Sequence, residues 1–244
     1  MELNLLHFYP DLMSLYGSYA NVLLLKRHLE DLGNTATIVS VRPGEEVEIA
    51  GADFLFMGAG TERSQKAALA DFARFGSAVK ESACAGTPML LAGTAMELLG
   101  KTVTDGAGKS YDGIGLGSFT SVQSKKRFVG DVYGTTDLYA PPVVGFMNKC
   151  TVISGVETPL LTACAMGFGN EKERGPEGFR FNNVLASELT GPLLVKNPLM
   201  LGAVIAAIYK KHDTELPDNI PAYPFEEDAY TVTAQQLKLR SEKC

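Results

Sequence analysis

A chain of 244 residues with 45% hydrophobic and 20% charged side chains is long enough to bury a large core, and it fits one sizeable α/β domain or two small ones. The formal net charge of −6 disfavours a phosphate backbone as partner and argues against nucleic acid, with Lys125, Lys126 and Arg127 as one local basic patch. The four cysteines, Cys84, Cys150, Cys164 and Cys244, form no CxxC pair, so no metal site and no disulfide framework is expected, and no apolar stretch reaches the roughly 20 residues of a membrane span.

The chain opens directly on Leu3-Asn-Leu-Leu-His7-Phe8, which reads as a buried strand. It lacks the basic n-region and apolar h-region of a signal peptide, and a cytoplasmic protein with reduced thiols follows as the expectation. Tyr9-Pro10-Asp11 breaks the strand. A helix is predicted over about 19–32, where Val22, Leu23, Leu25, Leu29 and Leu32 mark one face at helical spacing and Gly33-Asn34 supplies the C-cap. Thr35 to Val41 and Asp53 to Met57 are the next strands, the latter followed at once by Gly58-Ala59-Gly60. A long helix is predicted over 64–81, then a strand over Pro88 to Ala92, a sharp turn at Gly93 and a short helix through Leu99. Alternation of strand and helix predicts a central parallel or mixed sheet with helices on both faces, with ligand sites at the C-terminal strand ends, here Gly58 to Gly60 and Gly93 to Ala95.

The second half is richer in strands. Candidates are Arg127 to Tyr133, Pro142 to Phe146, Leu161 to Ala165, Phe179 to Phe181 and Val184 to Glu188, and a helix is predicted over Pro198 to Lys211 with Asn197 as its N-cap. Two regions result: 1–212 as a single globular body, and 213–244 as an acidic, proline-containing extension, irregular or partly ordered on the surface.

Four segments carry a resemblance. Tyr9-Pro-Asp-Leu-Met-Ser-Leu-Tyr-Gly17 with Ala20-Asn21 stands beside a pattern like YPDL-x-NLYGDRGN; Gly58 to Gln65 beside GGGQDxEQ; Gly86 to Gly100 beside the elbow P-x-L-x-x-CGGYQLLG; and Gly167 to Asn170, Glu177-Gly178 and Leu189 to Pro198 beside GYGNN…EG…YLHGPLLPKNP. Val144 to Asn148 adds a weaker match to GFENH. Together, in this order over most of 1–212, they resemble the GatD-type subunits of lipid II isoglutaminyl synthases, glutamine amidotransferases of the CobB/CobQ class. The resemblance implies the flavodoxin-like architecture of class I glutamine amidotransferases, no cofactor, and assembly with a MurT-like Mur ligase subunit that receives ammonia for cell-wall peptide amidation.

The departures fall on the chemistry that this resemblance implies. Glutamine hydrolysis needs a thiolate on a strained strand-to-helix turn and a histidine to manage its proton. The family's cysteine falls at Gly93, which has no side chain, and its histidine at Thr190, which is no comparable base. Thr94 and Ala95 replace the two glycines after the cysteine, and Ser18 and Ala20 replace Asp and Gly of the first motif. Gly58, Ala59, Gly60 and Thr94 remain the expected substrate-binding wall, with Ala59 and its neighbours keeping backbone N–H groups for an anion hole. Arg127 matches an arginine tied to activity in the family, and reads equally as a strand-end surface charge. The three histidines stand elsewhere, His7 in a packed strand, His28 on a helix surface and His212 beyond the last long helix.

The expected function is that of a catalytically degenerate subunit that binds and stabilises a Mur-ligase-like partner. Two other readings stay open. One is an active glutaminase with a relocated nucleophile, for which Thr94 lacks a visible base, Cys84 lies on the wrong side of its strand, and Cys150 and Cys164 read as small buried residues. The other is a sensor that holds glutamine or a related amino acid without turning it over. If the pocket persists, Gly93→Cys with Thr190→His is expected to restore hydrolysis.

Overall fold

The computed structural model describes residues 1–217 and 220–243. In chain order the first half comprises β1 (Glu2–Phe8), α1 (Ala20–Asp31), β2 (Thr35–Val41), β3 (Phe54–Met57), α2 (Glu62–Phe72), α3 (Gly76–Cys84) and β4 (Met89–Ala92), followed by a 3₁₀ segment, Gly93–Leu99. The second half adds β5 (Thr102–Thr104), β6 (Ser110–Asp112), β7 (Thr120–Thr135), β8 (Val143–Ser154), β9 (Ala163–Met166), β10 (Phe179–Phe181), β11 (Val184–Ser187), β12 (Leu189–Thr190), α4 (Leu193–Lys196), α5 (Pro198–Lys211) and α6 (Pro224–Ser241).

Two sheets are present. The first runs β10-β11-β4-β3-β1-β2, parallel throughout except for the antiparallel edge strand β10. Its inner strands β3 and β4 are apolar and buried in every position because both faces are covered, whereas the edge strand β2 keeps polar, exposed positions. Leu6, Phe8, Leu55, Met57, Met89 and Leu91 point to the core shared with α2 and α3. Leu3, Leu5, Phe54, Phe56 and Leu90 alternate to the opposite core with α1 and α5. This is the α/β arrangement expected, with helices on both faces. The second sheet runs β12-β8-β7-β5-β6, with β9 paired to β7. Its long β7–β8 ladder is interrupted by an irregularity between Gln123 and Phe128.

Several elements differ from the sequence reading. The helix predicted over 64–81 is two helices, α2 and α3, separated by a 3₁₀ turn at Ala73–Phe75; Phe75 turns inward there and packs edge-on to Phe8 at 5.4 Å. The surface tail predicted after 212 contains the 18-residue helix α6. Pro224 stands at its first turn, where a missing N–H costs nothing, with Glu226 and Glu227 beside it and Lys238 and Arg240 in the last turn, as the helix dipole favours. The helix is tied to the body by Tyr230 Oη donating to Pro142 O (2.7 Å) and by the Arg240–Asp131 pair (2.6 Å). His28 is consequently buried rather than on the surface: its ring stacks on Tyr223 at 3.7 Å and its Nε2 lies 3.2 Å from Glu226. His7 is packed, as expected, against Phe56. Cys244 lies outside the described residues.

Asn197 precedes Pro198 at the start of α5, but its side chain does not cap the helix. Its amide instead clamps β8, accepting from Val144 N and donating to Val144 O and Leu193 O. Among the described residues no helix is long and apolar enough to cross a membrane, and no group of three or more His, Cys, Asp or Glu is arranged to hold a metal ion.

Candidate functional site

A cavity of about 230 Å³ opens at the C-terminal ends of β3, β4 and β11, where an open parallel sheet places its ligands. Its floor is Ala59, Gly60, Gly93 and Thr94, and its far wall is Glu188 and Thr190. The second sheet closes the top with Arg127 of β7 and Asn148, Lys149 and Cys150 of β8; Leu15 and Tyr16, from the loop after β1, form the lip. Thr190 is carried there by its antiparallel register with Phe146, whose carbonyl accepts from Thr190 Oγ1 at 3.1 Å.

The turn leaving β4 keeps a strained shape. Gly93 has φ +62°, the left-handed region that glycine enters freely and other residues enter at a cost. A Cβ built on it would lie 2.6 Å from the Ala59 Cβ. The Ala59 methyl therefore fills the space that the first atom of any side chain at position 93 needs. Of the other residues expected to line the site, Gly58 does not. It is pressed against Ser18 and the Met13 carbonyl, at the point where the loop after β1 crosses the end of β3.

Thr94 holds the floor together. Its hydroxyl accepts from Gly60 N (3.0 Å) and donates to Gly60 O (3.1 Å), while Gln65 Nε2 donates to the Thr94 carbonyl (2.9 Å). This engages the Gly60 N–H that a backbone anion hole would need. Arg127 is not a free strand-end charge. Its guanidinium pairs with Glu62 (2.6 Å) and donates to Asn148 Oδ1 (3.0 Å), and Asn148 Nδ2 in turn donates to Tyr16 Oη (2.9 Å). Cys150 lines the cavity rather than lying deep in the core; its thiol donates to Glu62 at 3.0 Å, and burial, followed by that carboxylate, pushes its pKa up to about 11. A thiol held in this way is a poor source of thiolate. Cys84 is exposed at the end of α3 and Cys164 is buried elsewhere. None of the three histidines lines the cavity.

Charged side chains are buried behind the wall. Lys149 Nζ donates to Gly169 O (2.7 Å) and Asn170 O (2.9 Å). Asn170 clasps the backbone of Gly178 with two 2.9 Å bonds, which places Glu177 to accept from Ser187 Oγ and Glu188 N. Two of the matched motifs thus serve to tie the second sheet to β11. Glu97 accepts from Thr151 Oγ1 (2.9 Å), and burial raises its pKa to about 7. Both Glu188 carboxyl oxygens are buried with no partner, and burial, reinforced by Glu97, holds this acid well above its ordinary range.

Folded Glu97 retains its proton through a range where the unfolded chain has released it. It therefore contributes no penalty below about pH 4.5 and an increasing one as pH rises through about 7. Glu97→Gln preserves an acceptor for Thr151 and removes that penalty. The variant is expected to gain about 1–3 kcal/mol over the natural chain at pH 8 and nothing at pH 4, read from urea unfolding at both values; an equal shift at both would refute the assignment.

Sequence reasoning placed Ala59, Gly60, Gly93, Thr94, Arg127 and Thr190 in one region, and the structure brings these six to one cavity. It missed Tyr16, Glu62, Lys149, Cys150 and Glu188. One signal was legible: Glu188 is the lone acid in the run Val184 to Pro192, which otherwise reads as buried strand, and a charge there asks for a reason.

Residues 4–198 match the model of the CobB/CobQ-like glutamine amidotransferase domain. The chain is 31% identical over 231 residues to the GatD subunit of the glutamine-hydrolysing lipid II isoglutaminyl synthase of Streptococcus pneumoniae (strain ATCC BAA-255 / R6), an alignment spanning 91% of this chain and 86% of the relative. It is 28% identical over 200 residues to the corresponding subunit of Staphylococcus aureus (strain N315), covering 80% of each. A crystal structure of a glutamine amidotransferase from Thermotoga maritima superposes with a TM-score of 0.50 at 10% identity, over 98% of this chain and 95% of that one, and shows the shared fold. By sequence, this chain belongs to the CobB/CobQ-like glutamine amidotransferase family.

Proposed function

We propose that the chain is a GatD-like subunit whose glutaminase centre has lost its chemistry, and that it serves a Mur-ligase-like partner in cell-wall peptide modification as a structural or regulatory component. Position 93 stands where the family's nucleophile falls, and position 190 where its histidine falls. The observation that carries the reading is the contact between Ala59 and Gly93. The side chain is absent at position 93, and the Ala59 methyl occupies the room its first atom would take. A floor packed in this way supports adaptation to the absence of a nucleophile.

Relocation of the nucleophile has little support. The Thr94 hydroxyl is held on both sides by Gly60. The Cys150 thiol donates to a carboxylate with no histidine beside it. The test is co-expression with a MurT-like ligase. The reading expects a stable heterodimer on size-exclusion chromatography and ligase activity driven by free ammonium salts, but not by glutamine. Failure of the two chains to associate would refute the partner role.

A further inference from the structure

Helix α6 lies beyond residues 4–198, the part matched by the family model, and it shows two unlike faces. Toward the body it turns Glu226, Tyr230, Ala234, Leu237 and Ser241, all buried or half-buried. On the opposite face stand Phe225, Val232 and Leu239, which are 88%, 59% and 52% exposed. They are seven residues apart, which puts one on every second turn of the same outer face. Phe225 is the most exposed large apolar side chain among the described residues. Single apolar residues scattered over a surface are ordinary. A row at heptad spacing along one outer face is different, because it is the pattern by which one helix packs on another.

Charge selects the occupant. Glu226 at the start of α6 contacts His28, and Arg240 at its end pairs with Asp131. Glu227 and Asp228 at the start and Lys238 at the end have no ion-pair partner among the described residues. The apolar row is also its own mirror about Val232, with Phe225 seven residues before it and Leu239 seven after. We propose that this face is a self-association surface, on which α6 of a second copy of this chain packs antiparallel about a two-fold axis at Val232. In that arrangement Val232 meets its counterpart and Phe225 meets Leu239 of the other copy. The Glu227 and Asp228 end of each helix then lies level with Lys238 of the other. A parallel pairing would set these acids beside their own copies and align the helix dipoles, and both effects oppose it. The contact is isologous, so it closes at two copies. A pair of single helices buries less than the roughly 800 Å² per partner of a standard interface, so the dimer forms only as concentration rises. No α6 residue lines the cavity, and the inference holds whether or not the chain hydrolyses glutamine.

The test is sedimentation velocity of the full chain from about 10 µM to about 1 mM, the range expected of an interface this small. The expected result is a reversible monomer–dimer equilibrium. Val232→Asp sets two like charges at the two-fold axis and should raise the dimer Kd by about tenfold or more. Its site is exposed, so thermal unfolding of the monomer should be unchanged. Direction is read by disulfide cross-linking in a background of Cys84→Ser and Cys244→Ser. Phe225→Cys chains oxidised together with Leu239→Cys chains should cross-link, and Phe225→Cys chains alone should not. A chain that stays monomeric over the whole range, an unchanged Kd in Val232→Asp, or cross-linking by Phe225→Cys alone and not by the mixture would overturn the proposal. So would a monomeric chain that loses a ligase partner on Val232→Asp, which would assign the surface to the ligase.

Discussion

Gly93→Cys in the natural background is expected to destabilise the chain by about 2–5 kcal/mol. Two costs combine. A non-glycine residue at φ +62° loses about 1–2 kcal/mol, and a Cβ brought to 2.6 Å of the Ala59 methyl adds an overpacking cost of about 1–3 kcal/mol. In a chain of this size the sum lowers Tm by roughly 5–15 °C, readable by calorimetry. Adding Ala59→Gly removes the steric part and leaves the backbone part. Repair of hydrolysis by two substitutions, as the sequence alone suggested, therefore becomes repair by three: Ala59→Gly, Gly93→Cys and Thr190→His. A double variant lacking Ala59→Gly that is as stable as the natural chain would show that the two positions do not compete for space.

Asn197→Ala is expected to be the most damaging polar substitution away from the cavity. The Asn197 amide satisfies the N–H and C=O of Val144 and the carbonyl of Leu193, all buried. Leaving a buried polar group unpaired costs about 1–3 kcal/mol each, so the loss is at least about 3 kcal/mol. It should appear as a lower urea midpoint with an unchanged m-value. A change below about 1 kcal/mol would mean that water replaces the clamp. Because Asn197 fixes β8 to the start of α5, the same substitution is expected to loosen Asn148 and Cys150 at the cavity roof.

The central sheet was legible because its inner strands are covered on both faces and its edge strand β2 is rich in β-branched residues. Apolar runs located β1, β3 and β4, and the β-branched residues of Thr35 to Val41 located β2, each to within a residue or two; a helix over Pro198 to Lys211 was likewise placed. The second sheet was harder to read. In Thr120 to Arg127 buried, half-buried and exposed residues are mixed, so β5, β6 and the first half of β7 carry no strong period of their own, and pairing makes them strands. The helix α6 buries only Leu237, so it shows no apolar stripe, and its prolines read as breaks although Pro224 is a helix start. At the site, the floor lies in contiguous motifs and was visible in them. The roof and wall depend on β7–β8 pairing and on the Thr190–Phe146 register, which no local pattern encodes. The competition between Ala59 and Gly93 is also a tertiary fact, since the two are 34 positions apart.

The central claim is that this floor no longer supports attack on an amide. The most direct measurement incubates glutamine labelled with ¹⁵N at its side-chain amide with the chain bound to its ligase partner, and follows labelled ammonium by NMR. The account predicts no ammonium beyond the uncatalysed rate, and release only from the triple variant carrying Ala59→Gly, Gly93→Cys and Thr190→His. Turnover by the natural complex, abolished by Cys150→Ser or Thr94→Ala, would contradict it and identify the residue that had taken over as nucleophile.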